Sequence, residues 1–258
     1  MFNFIVFYTW AFLSLNSLTE VVSCRNYKFQ IKQVYGVKHI AAVILARGGS
    51  KGIPLKNISE FGNKTLIANS IEIIKAVPGL NSIWLSTESK KIFAASLAVC
   101  ENIHWRAEKF ASDTSSSISA VQEFLNLHPE IDVIGLIQCT SPFLQKSFLI
   151  EAVKYLRSQI DCVFSVTRSF KLRWSSKLKN LVPLNFDLKS RPRRQDWPGE
   201  LIENGMFYFA NRKLINQGLF QNNYCAVVEV PAALSLEIDT PVDLYIANKL
   251  KAYFEQEI

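Results

Sequence analysis

Short apolar runs alternate with amphipathic stretches along most of the chain. Six runs rich in Val, Ile, Leu and Phe have the length of buried strands. Five other stretches repeat apolar residues three and four positions apart, which is typical of helices that pack on one face. The predicted strands are 40–45, 82–86, 133–138, 162–167, 207–210 and 226–230, and the predicted helices are 66–76, 90–100, 117–127, 147–158 and 242–254.

This alternation predicts the α/β class, with a doubly wound and mostly parallel sheet covered by helices on both faces. Ligands of such sheets bind outside the carboxyl ends of the strands. Several clusters of polar residues follow the predicted strands directly. We therefore expect a site at the carboxyl edge of the sheet.

The periodicity fails at about 170–204, a stretch that contains tryptophan, proline and a run of arginines. Irregular segments of this length are uncommon in compact domains unless they have a function. We therefore expect 170–204 to have a function of its own.

The N-terminus is a separate segment. Residues 2–15 are almost wholly apolar, and Val21-Val22-Ser23-Cys24 provides small or apolar residues at offsets suited to signal cleavage. The run is short for a membrane span and suits a signal-peptide core, although no Lys or Arg precedes it. A buried N-terminal helix is the alternative. The predicted organisation is a signal peptide or anchor over 1–23, a linker over 24–38 and one α/β domain over 39–258.

The composition and charge of the chain limit the classes of ligand that it is expected to bind. The chain has 258 residues, 49% hydrophobic and 20% charged, which argues against disorder. Its net charge of +7 would suit nucleic acid, a membrane surface or an anionic small molecule. The cations form two short clusters, 47–56 and 189–194, and not an amphipathic stripe. An anionic substrate is therefore preferred, and no nucleic-acid partner is expected.

The five cysteines are scattered without a C-x-x-C pair. This spacing argues against a zinc site, and the odd number argues against a disulfide framework. Cys139 and Cys162 lie in or beside predicted strands, so both are interpreted as buried structural thiols.

The loop after the first predicted strand contains the densest group of candidate functional residues. The segment LARGGSKGIPLKN, residues 45–57, holds three cations and three glycines. Glycines let backbone N–H groups approach an anion, and the cations neutralise it. The loop matches neither a Walker A motif nor a G-x-G-x-x-G fingerprint. We interpret it as a phosphate-binding loop; a basic turn is the alternative.

Residues 45–52 (LARGGSKG) and 54–57 (PLKN) resemble the signature of the CMP-sialic acid synthetases, the N-acylneuraminate cytidylyltransferases. The resemblance extends over about 40–250 and is to an animal, insect-like form. It implies a Rossmann-like fold with CTP and sialic acid as substrates. The nucleotide-binding residues implied in this loop are Leu45, Ala46, Arg47, Ser50, Lys51, Lys56 and Asn57.

A second matching block combines Arg106 with ASDTSSS at 111–117. In the family this segment contacts cytosine and ribose, which implies nucleotide contacts for Arg106, Ser115 and Ser117. Asp113 and Thr114 are weaker candidates. Hydroxyls and carboxylates are also what helix N-caps prefer. Capping of the helix that starts near Ser117 is therefore the alternative.

Two blocks are implied to hold the sugar. Gln138 begins Gln-Cys-Thr-Ser-Pro, where the family has Gln-Pro-Thr-Ser-Pro; we expect Cys139 to be tolerated, and a simple turn is the alternative. Arginine binds a carboxylate through two hydrogen bonds, so Arg194 is implied to bind that of sialic acid. Asn204 and Tyr208 complete this set. The run 189–194 could instead be a nuclear import signal or a nucleic-acid patch.

The last block is SLEIDTPVD at 235–243, where the family has Asp-Ile-Asp-Thr. Alternate acidic residues of an extended segment share one face and can hold a hard cation. Asp239 is thus the primary candidate ligand for Mg²⁺ (or Mn²⁺), and Glu237 is a weaker one. Asp243 either joins these two carboxylates or only caps the final helix.

The resemblance implies attack of the anomeric hydroxyl of sialic acid on the α-phosphorus of CTP, which yields CMP-sialate and diphosphate. Arg47, Lys51 and Asp239 are the catalytic candidates. No histidine is expected to act as a general base, because His39, His104 and His128 lie outside the blocks. The alternatives are a cytidylyltransferase for Kdo or deaminated sialic acid, and an inactive sugar-nucleotide-binding protein.

The resemblance also implies assembly and location. In the family the segment at about 170–204 is an insertion that docks on a second subunit and helps to complete the neighbouring active site. This implies a homodimer or a tetramer. The N-terminal segment suggests the Golgi, with membrane contact only through that segment if it stays uncleaved; the nucleus is the alternative. Two sequons start at Asn57 and Asn63. A glycan on Asn57 would block the nucleotide loop, so Asn63 is the predicted glycosylation site.

Overall fold

The structure is a computed structural model that describes residues 38–156, 160–177 and 180–256. The segment 1–37, with its predicted signal and linker, lies outside the described residues. A compact unit begins at His39. None of the helices in the described ranges has the length and apolarity needed to cross a membrane.

Eleven strands and six helices occur in the described part of the chain. The strands are β1 (Ile40–Leu45), β2 (Glu60–Phe61), β3 (Lys64–Thr65), β4 (Ser82–Thr87), β5 (Asn102–Trp105), β6 (Val133–Ile137), β7 (Cys162–Ser169), β8 (Trp174–Lys177), β9 (Asn180–Pro183), β10 (Glu200–Asn211) and β11 (Cys225–Glu229). The helices are α1 (Leu66–Lys75), α2 (Lys90–Ser96), α3 (Ser117–Leu127), α4 (Lys146–Leu156), α5 (Arg212–Asn216) and α6 (Pro241–Gln256).

Seven strands form one sheet in the order β11-β7-β10-β6-β1-β4-β5. Neighbours are parallel except at β10, which runs antiparallel to both β6 and β7. This confirms the predicted α/β class and mostly parallel sheet. Because β1 lies between β6 and β4, the loop that follows it emerges near the middle of the carboxyl edge.

Alternate residues of β1 enter different halves of the core. Ile40, Ala42 and Ile44 pack with apolar residues of α1 and α4, whereas Ala41 and Val43 pack with those of α3 and α5. Both faces of the sheet are therefore covered, as the near-continuous apolar sequence of β1 predicts for a strand buried on both sides. This burial makes the central strand a rigid base for the loop that follows it.

Three helices that support the carboxyl edge begin at hydroxyl N-caps. The backbone N–H of Ala68 donates to Thr65 Oγ1 before α1, and that of Ser119 donates to Ser116 Oγ before α3. Ser89 caps α2 in the same way. These bonds satisfy backbone donors that a helix start leaves without partners.

The sequence did not predict the short hairpin β2–β3 or the helix α5, and the structure differs from the prediction in two further segments. The predicted helix 90–100 ends at Ser96, and the four-residue strand β5 follows it at the edge of the sheet. The stretch 170–204 contains the antiparallel hairpin β8–β9, and β10 already begins at Glu200. Such short strands carry too few residues for a clear period of two.

One cysteine interpretation was wrong. Cys162 forms a disulfide with Cys225, whereas Cys139 is a buried free thiol as predicted. The two bonded residues are register partners on the parallel strands β7 and β11, with Cα atoms 4.4 Å apart. Spacing along the chain did not reveal this pairing, because it depends on which strands become neighbours.

Candidate active site

A cavity of about 440 Å³ opens at the carboxyl edge of the sheet beside the loop after β1. It brings together nearly all the predicted nucleotide-binding residues and both acidic candidates. The predicted residues that line it are Leu45, Arg47, Ser50, Lys51, Lys56, Asn57, Arg106, Ser115, Ser117, Gln138, Glu237 and Asp239. Ala46 lies behind the wall, where it is fully buried and its N–H donates to the Ser86 carbonyl.

Each cation of the loop is paired with a carboxylate from elsewhere in the chain. Arg47 Nη1 and Lys51 Nζ lie 3.0 and 2.7 Å from the carboxylate of Asp113. Lys56 Nζ lies 2.8 Å from Asp239 Oδ1. Lys51 and then Arg47 hold the pKa of Asp113 below its usual value. The cavity wall is thus a set of ion pairs whose cations face a common space.

The backbone of the loop is held by close contacts on two sides. The Gly48 N–H donates to Glu88 Oε1 at 2.6 Å, so this group points at a carboxylate and not into the cavity, contrary to the expectation for loop glycines. A Cβ at Gly52 would overlap the carbonyl oxygen of Asp239. Glycine at 52 therefore permits the close approach of the loop to the acidic segment.

Asn57 is a buried structural anchor of the loop. Its Nδ2 donates to the Arg47 carbonyl at 3.4 Å, and its Oδ1 accepts from Cys139 Sγ at 3.2 Å. Burial raises the pKa of the Cys139 thiol to about 12, so the thiol stays protonated and can donate. Cys139, at the position of the family's proline, therefore helps to hold the loop against the end of β6.

The segment 111–117 forms the opposite wall. Ser116 caps α3, so the capping alternative is wrong for Asp113 and Thr114. Ser115 Oγ donates to the Lys109 carbonyl at 2.6 Å, which fixes the turn before the helix. Arg106 enters from the end of β5, with only 3% of its side chain exposed.

Glu237 and Asp239 flank a buried residue. Ile238 lies in the core and its N–H donates to the Thr140 carbonyl, which directs the neighbouring residues to the cavity. Burial, together with the charge of Asp239, raises the pKa of Glu237. Within the described ranges, no group of three or more His, Cys, Asp or Glu could hold a metal by itself. Two carboxylates suit Mg²⁺, which takes its other ligands from substrate phosphates and water.

Asp243 caps the final helix, which confirms that interpretation over a place in the cavity. Its Oδ2 accepts from the N–H of Thr240 at 2.7 Å, and its own N–H donates to Thr240 Oγ1 at 3.3 Å. Pro241 occupies the first position of α6, where its missing N–H costs nothing. This capping box orients the acidic segment that precedes the helix.

A second cavity, of about 880 Å³, lies beside the first. Of the predicted sugar-binding residues, Arg194, Asn204 and Tyr208 line it, whereas Gln138 lines the first cavity. Glu237 lines both cavities and therefore lies at their junction. None of the three histidines lines either one.

The polar side chains of the second cavity are held in place by contacts with neighbouring residues. The Arg194 guanidinium lies 5.0 Å from the centroid of the Phe170 ring, which leaves its edge available for hydrogen bonds. Burial and the nearby Glu203 carboxylate raise the pKa of Tyr208 to about 12, and its hydroxyl donates to Glu203 at 3.2 Å. Asn204 Nδ2 donates to Thr167 Oγ1 at 3.0 Å.

Sequence reasoning missed two groups that shape these cavities. Glu88 follows β4 and contacts both Gly48 and Arg106, and Phe170 supports Arg194. A signal existed for Glu88, because Thr87-Glu88-Ser89 is a polar cluster directly after a predicted strand. For Phe170 no sequence signal existed, since it lies at the start of the irregular insertion.

Known proteins resemble this chain over most of its length. The sequence model of the family described as cytidylyltransferase matches residues 41–257. N-acylneuraminate cytidylyltransferase A of Danio rerio is 43% identical over 82% of this chain and 50% of its own length. The N-acylneuraminate cytidylyltransferase of Oncorhynchus mykiss is 40% identical over 90% of this chain and 55% of its own length. The chain thus spans about half the length of these relatives.

A solved structure supports the same fold. A CMP:2-keto-3-deoxy-manno-octonic acid synthetase complexed with CTP superposes with a TM-score of 0.64 over 86% of this chain and all of its own, at 18% identity. At that identity the similarity concerns the fold alone. The family match, which spans nearly the whole sheet domain, goes further: the chain belongs to the cytidylyltransferase family.

Proposed function

We propose that the chain transfers the cytidylyl group of CTP to an N-acylneuraminate and releases diphosphate. The observation that carries this proposal is the pair of adjoining cavities that meet at Glu237, one lined by the cations of the loop and the other by Arg194. A nucleoside triphosphate needs the cation-lined cavity, and the carboxylate of a sugar acid needs an adjoining cavity with an arginine. The names of the two fish relatives support the choice of substrates.

The first cavity holds CTP in this proposal. Arg47, Lys51 and Lys56 take up the charge of the triphosphate, and their preorganised positions stabilise the charge that develops as diphosphate leaves. Arg106 and the hydroxyls of the opposite wall face the base and ribose. Because Asp113 and Asp239 pair with these cations, the triphosphate of CTP would compete with both carboxylates for them.

The second cavity holds the sugar acid. Arg194 binds the carboxylate, and the Tyr208 hydroxyl stays a donor throughout the neutral pH range because its pKa is about 12. Gln138 lies in the wall of the first cavity and orients the anomeric end of the sugar from there. The acceptor hydroxyl would thus approach the α-phosphorus near Glu237.

Magnesium is the metal that we propose for this site, with manganese as the alternative. Asp239 and Glu237 would hold it together with phosphate oxygens, since both carboxylates line the nucleotide cavity. When bound, a divalent cation polarises the phosphate and lowers the pKa of a hydroxyl beside it. The Asp239 carboxylate would then exchange its ion pair with Lys56 for the metal.

The test is a diphosphate-release assay with CTP and N-acetylneuraminate. Arg47→Ala and Asp239→Ala should each abolish release that depends on both substrates. Lys91→Ala removes an exposed cation of α2, outside both cavities, and should behave as wild type. Wild-type turnover in either site variant would refute the assignment, and a wild-type chain without activity would favour an inactive nucleotide-binding protein.

A different ulosonic acid is the second candidate substrate. The name of the solved structure with the same fold, a 2-keto-3-deoxy-manno-octonic acid synthetase, suggests this candidate. A panel of N-acetylneuraminate, its deaminated form and Kdo should show the highest kcat/KM for N-acetylneuraminate. A preference for Kdo or the deaminated acid would reassign the second cavity.

We also propose that the insertion mediates homodimerisation. It exposes large apolar side chains around the β8–β9 hairpin, among them Trp174, Leu181, Val182, Leu184 and Leu188, with Leu181 70% exposed. Several exposed large apolar side chains in one segment are typical of an interaction site. Light scattering of the purified chain should give a dimer or tetramer, and Leu181→Asp should shift it towards monomer. A monomeric wild-type chain would contradict this.

The location that we propose is the lumen of the secretory pathway, in the Golgi. The apolar segment 2–15 supports it, and so does the Cys162–Cys225 disulfide, because such bonds persist in oxidising compartments. Imaging of a tagged protein should show Golgi staining that is lost without residues 1–23. Nuclear staining of the full chain would favour the basic run 189–194 as the address.

Asn63 is the proposed glycosylation site. It is exposed in the turn between β2 and β3, whereas Asn57 is buried and hydrogen-bonded on both sides of its amide. Treatment with a glycosidase should shift the secretory form, and Asn63→Gln should remove that shift while Asn57→Gln leaves it. A glycan on Asn57 in active enzyme would contradict the placement of Asn57 at the nucleotide.

A further inference from the structure

The Glu88 carboxylate connects two parts of the nucleotide cavity that are far apart in sequence. Its Oε1 accepts from the Gly48 N–H at 2.6 Å, in the loop after β1. Its Oε2 accepts from Arg106 Nη2 at 3.0 Å, after β5. Glu88 itself does not line the cavity, whereas Arg106 and Arg47, the residue before Gly48, do.

The strand order explains why one side chain reaches both partners. The strand β4 lies between β1 and β5, and its last backbone bonds go to both neighbours: Ser86 accepts from the Ala46 N–H and Thr87 from the Arg106 N–H. Glu88 is the next residue. Its two carboxylate oxygens therefore continue the cross-strand contacts beyond the point where the backbone ladder ends.

The contact between Glu88 and Arg106 is energetically important because both side chains are mostly buried. Arg106 is 3% exposed and the side chain of Glu88 is 15% exposed. A guanidinium taken out of water needs a counter-charge, since an unpaired buried charge is strongly unfavourable. Arg106 Nε has no hydrogen-bond partner among the described residues. The orientation of this arginine thus depends on Glu88.

We propose that Glu88 is a positioning residue for CTP, which sets the Gly48 end of the phosphate loop and the Arg106 guanidinium at a fixed separation. The inference rests on the proposed function insofar as CTP is the ligand of the first cavity. It predicts that Glu88 acts on nucleotide binding without contacting the nucleotide. The sugar cavity, which Glu88 does not touch, should be unaffected.

The test measures direct binding of CTP by calorimetry and the two KM values in the release assay. Glu88→Gln keeps the shape and one acceptor but removes the charge opposite Arg106. Glu88→Asp keeps the charge but is too short to reach both partners. Each variant should weaken CTP binding by about tenfold or more, the usual range for a lost charged hydrogen bond. KM for the sugar should stay unchanged, and kcat should fall less than kcat/KM for CTP.

Glu72→Gln is the matched control, because Glu72 pairs with Lys64 on the exposed side of α1 and lines neither cavity. A melting temperature measured for every variant separates stability from binding. Lower stability with unchanged CTP affinity would overturn the proposal and leave Glu88 as a residue of the fold only. Failure of both variants to fold would overturn it as well. A wild-type chain that binds no CTP would refute the proposed function first.

Discussion

At the scale of single residues, the three cations of the loop 45–57 are held by carboxylates from other parts of the chain. Asp113 contacts Arg47 and Lys51 together, and Asp239 contacts Lys56. The two pairs of Asp113 are exposed enough that water screens them, so each contributes little to stability, whereas the Lys56 side chain is only 18% exposed. Their significance is that the cations remain in place for a ligand of higher charge.

Asp113→Asn should therefore strengthen the binding of CTP. The variant removes an anion that competes with the triphosphate for Arg47 and Lys51, and exposed pairs of this kind are worth about twofold to fivefold in affinity. Calorimetric titration with CTP and with inorganic tripolyphosphate measures the change. Glu255→Gln, which breaks an exposed pair with Lys251 on α6, is the control. Weaker binding in Asp113→Asn would show instead that Asp113 shapes the loop for the nucleotide.

At the scale of elements, a buried polar network joins β4, β5 and α3 behind the nucleotide wall. His104 Nδ1 lies 3.0 Å from Ser86 Oγ, and His104 Nε2 lies 3.3 Å from Glu123 Oε2. Burial first, and then the charges of His128 and Arg106, lower the pKa of His104 to about 4. Burial raises the pKa of Glu123. The network is therefore neutral at His104 under ordinary conditions.

His104 should make the folded state less stable as the pH falls from about 6.5 to 4. In that window the unfolded chain binds a proton at this histidine and the folded chain does not, so acidification favours unfolding by up to about 3 kcal/mol. Glu123 acts in the opposite direction, because its raised pKa makes the folded state bind its proton first. Chemical denaturation at several pH values, compared between wild type and His104→Asn, isolates the histidine. An equal pH dependence in both would contradict this.

At the scale of the whole molecule, the disulfide closes the end of the sheet opposite the site. Cys162 and Cys225 start β7 and β11, whereas the cavities lie where the parallel strands end. The bond closes a loop with a sequence separation of 63. It thus restrains the last strand of the sheet, whose carboxyl end leads into the segment that carries Glu237 and Asp239.

Removal of this bond should lower the free energy of unfolding by about 4 kcal/mol, the chain-entropy value for a loop of this length. Cys162→Ser and the double variant Cys162→Ser/Cys225→Ser should show equal losses in urea unfolding, since either breaks the bond. Wild type in excess reductant should match them. Cys100→Ser changes a buried free cysteine and serves as the control. Stability that does not respond to reductant would exclude the bond.

Much of the site could be predicted from sequence because its chemistry is local. The loop 45–57 and the strand β1 coincide with their predicted positions, since a buried strand and a basic glycine-rich turn leave clear patterns. In the segment 235–243, the two acidic candidates, Glu237 and Asp239, both line the cavity as predicted from their spacing. Glu88 and Phe170 were missed because each acts through a partner on another strand or loop.

The sequence alone determined the α/β class, the positions of most helices and strands, and the glycine-rich basic loop after β1, because periodicity and turn chemistry act between near neighbours. Only the tertiary structure decided which distant groups meet. The strand order brings Lys56 to Asp239, Glu88 to Gly48 and Arg106, and Cys162 to Cys225. The tertiary structure also decided that Glu237 lies between two cavities, because both cavities form only when the strand ends come together in the sheet.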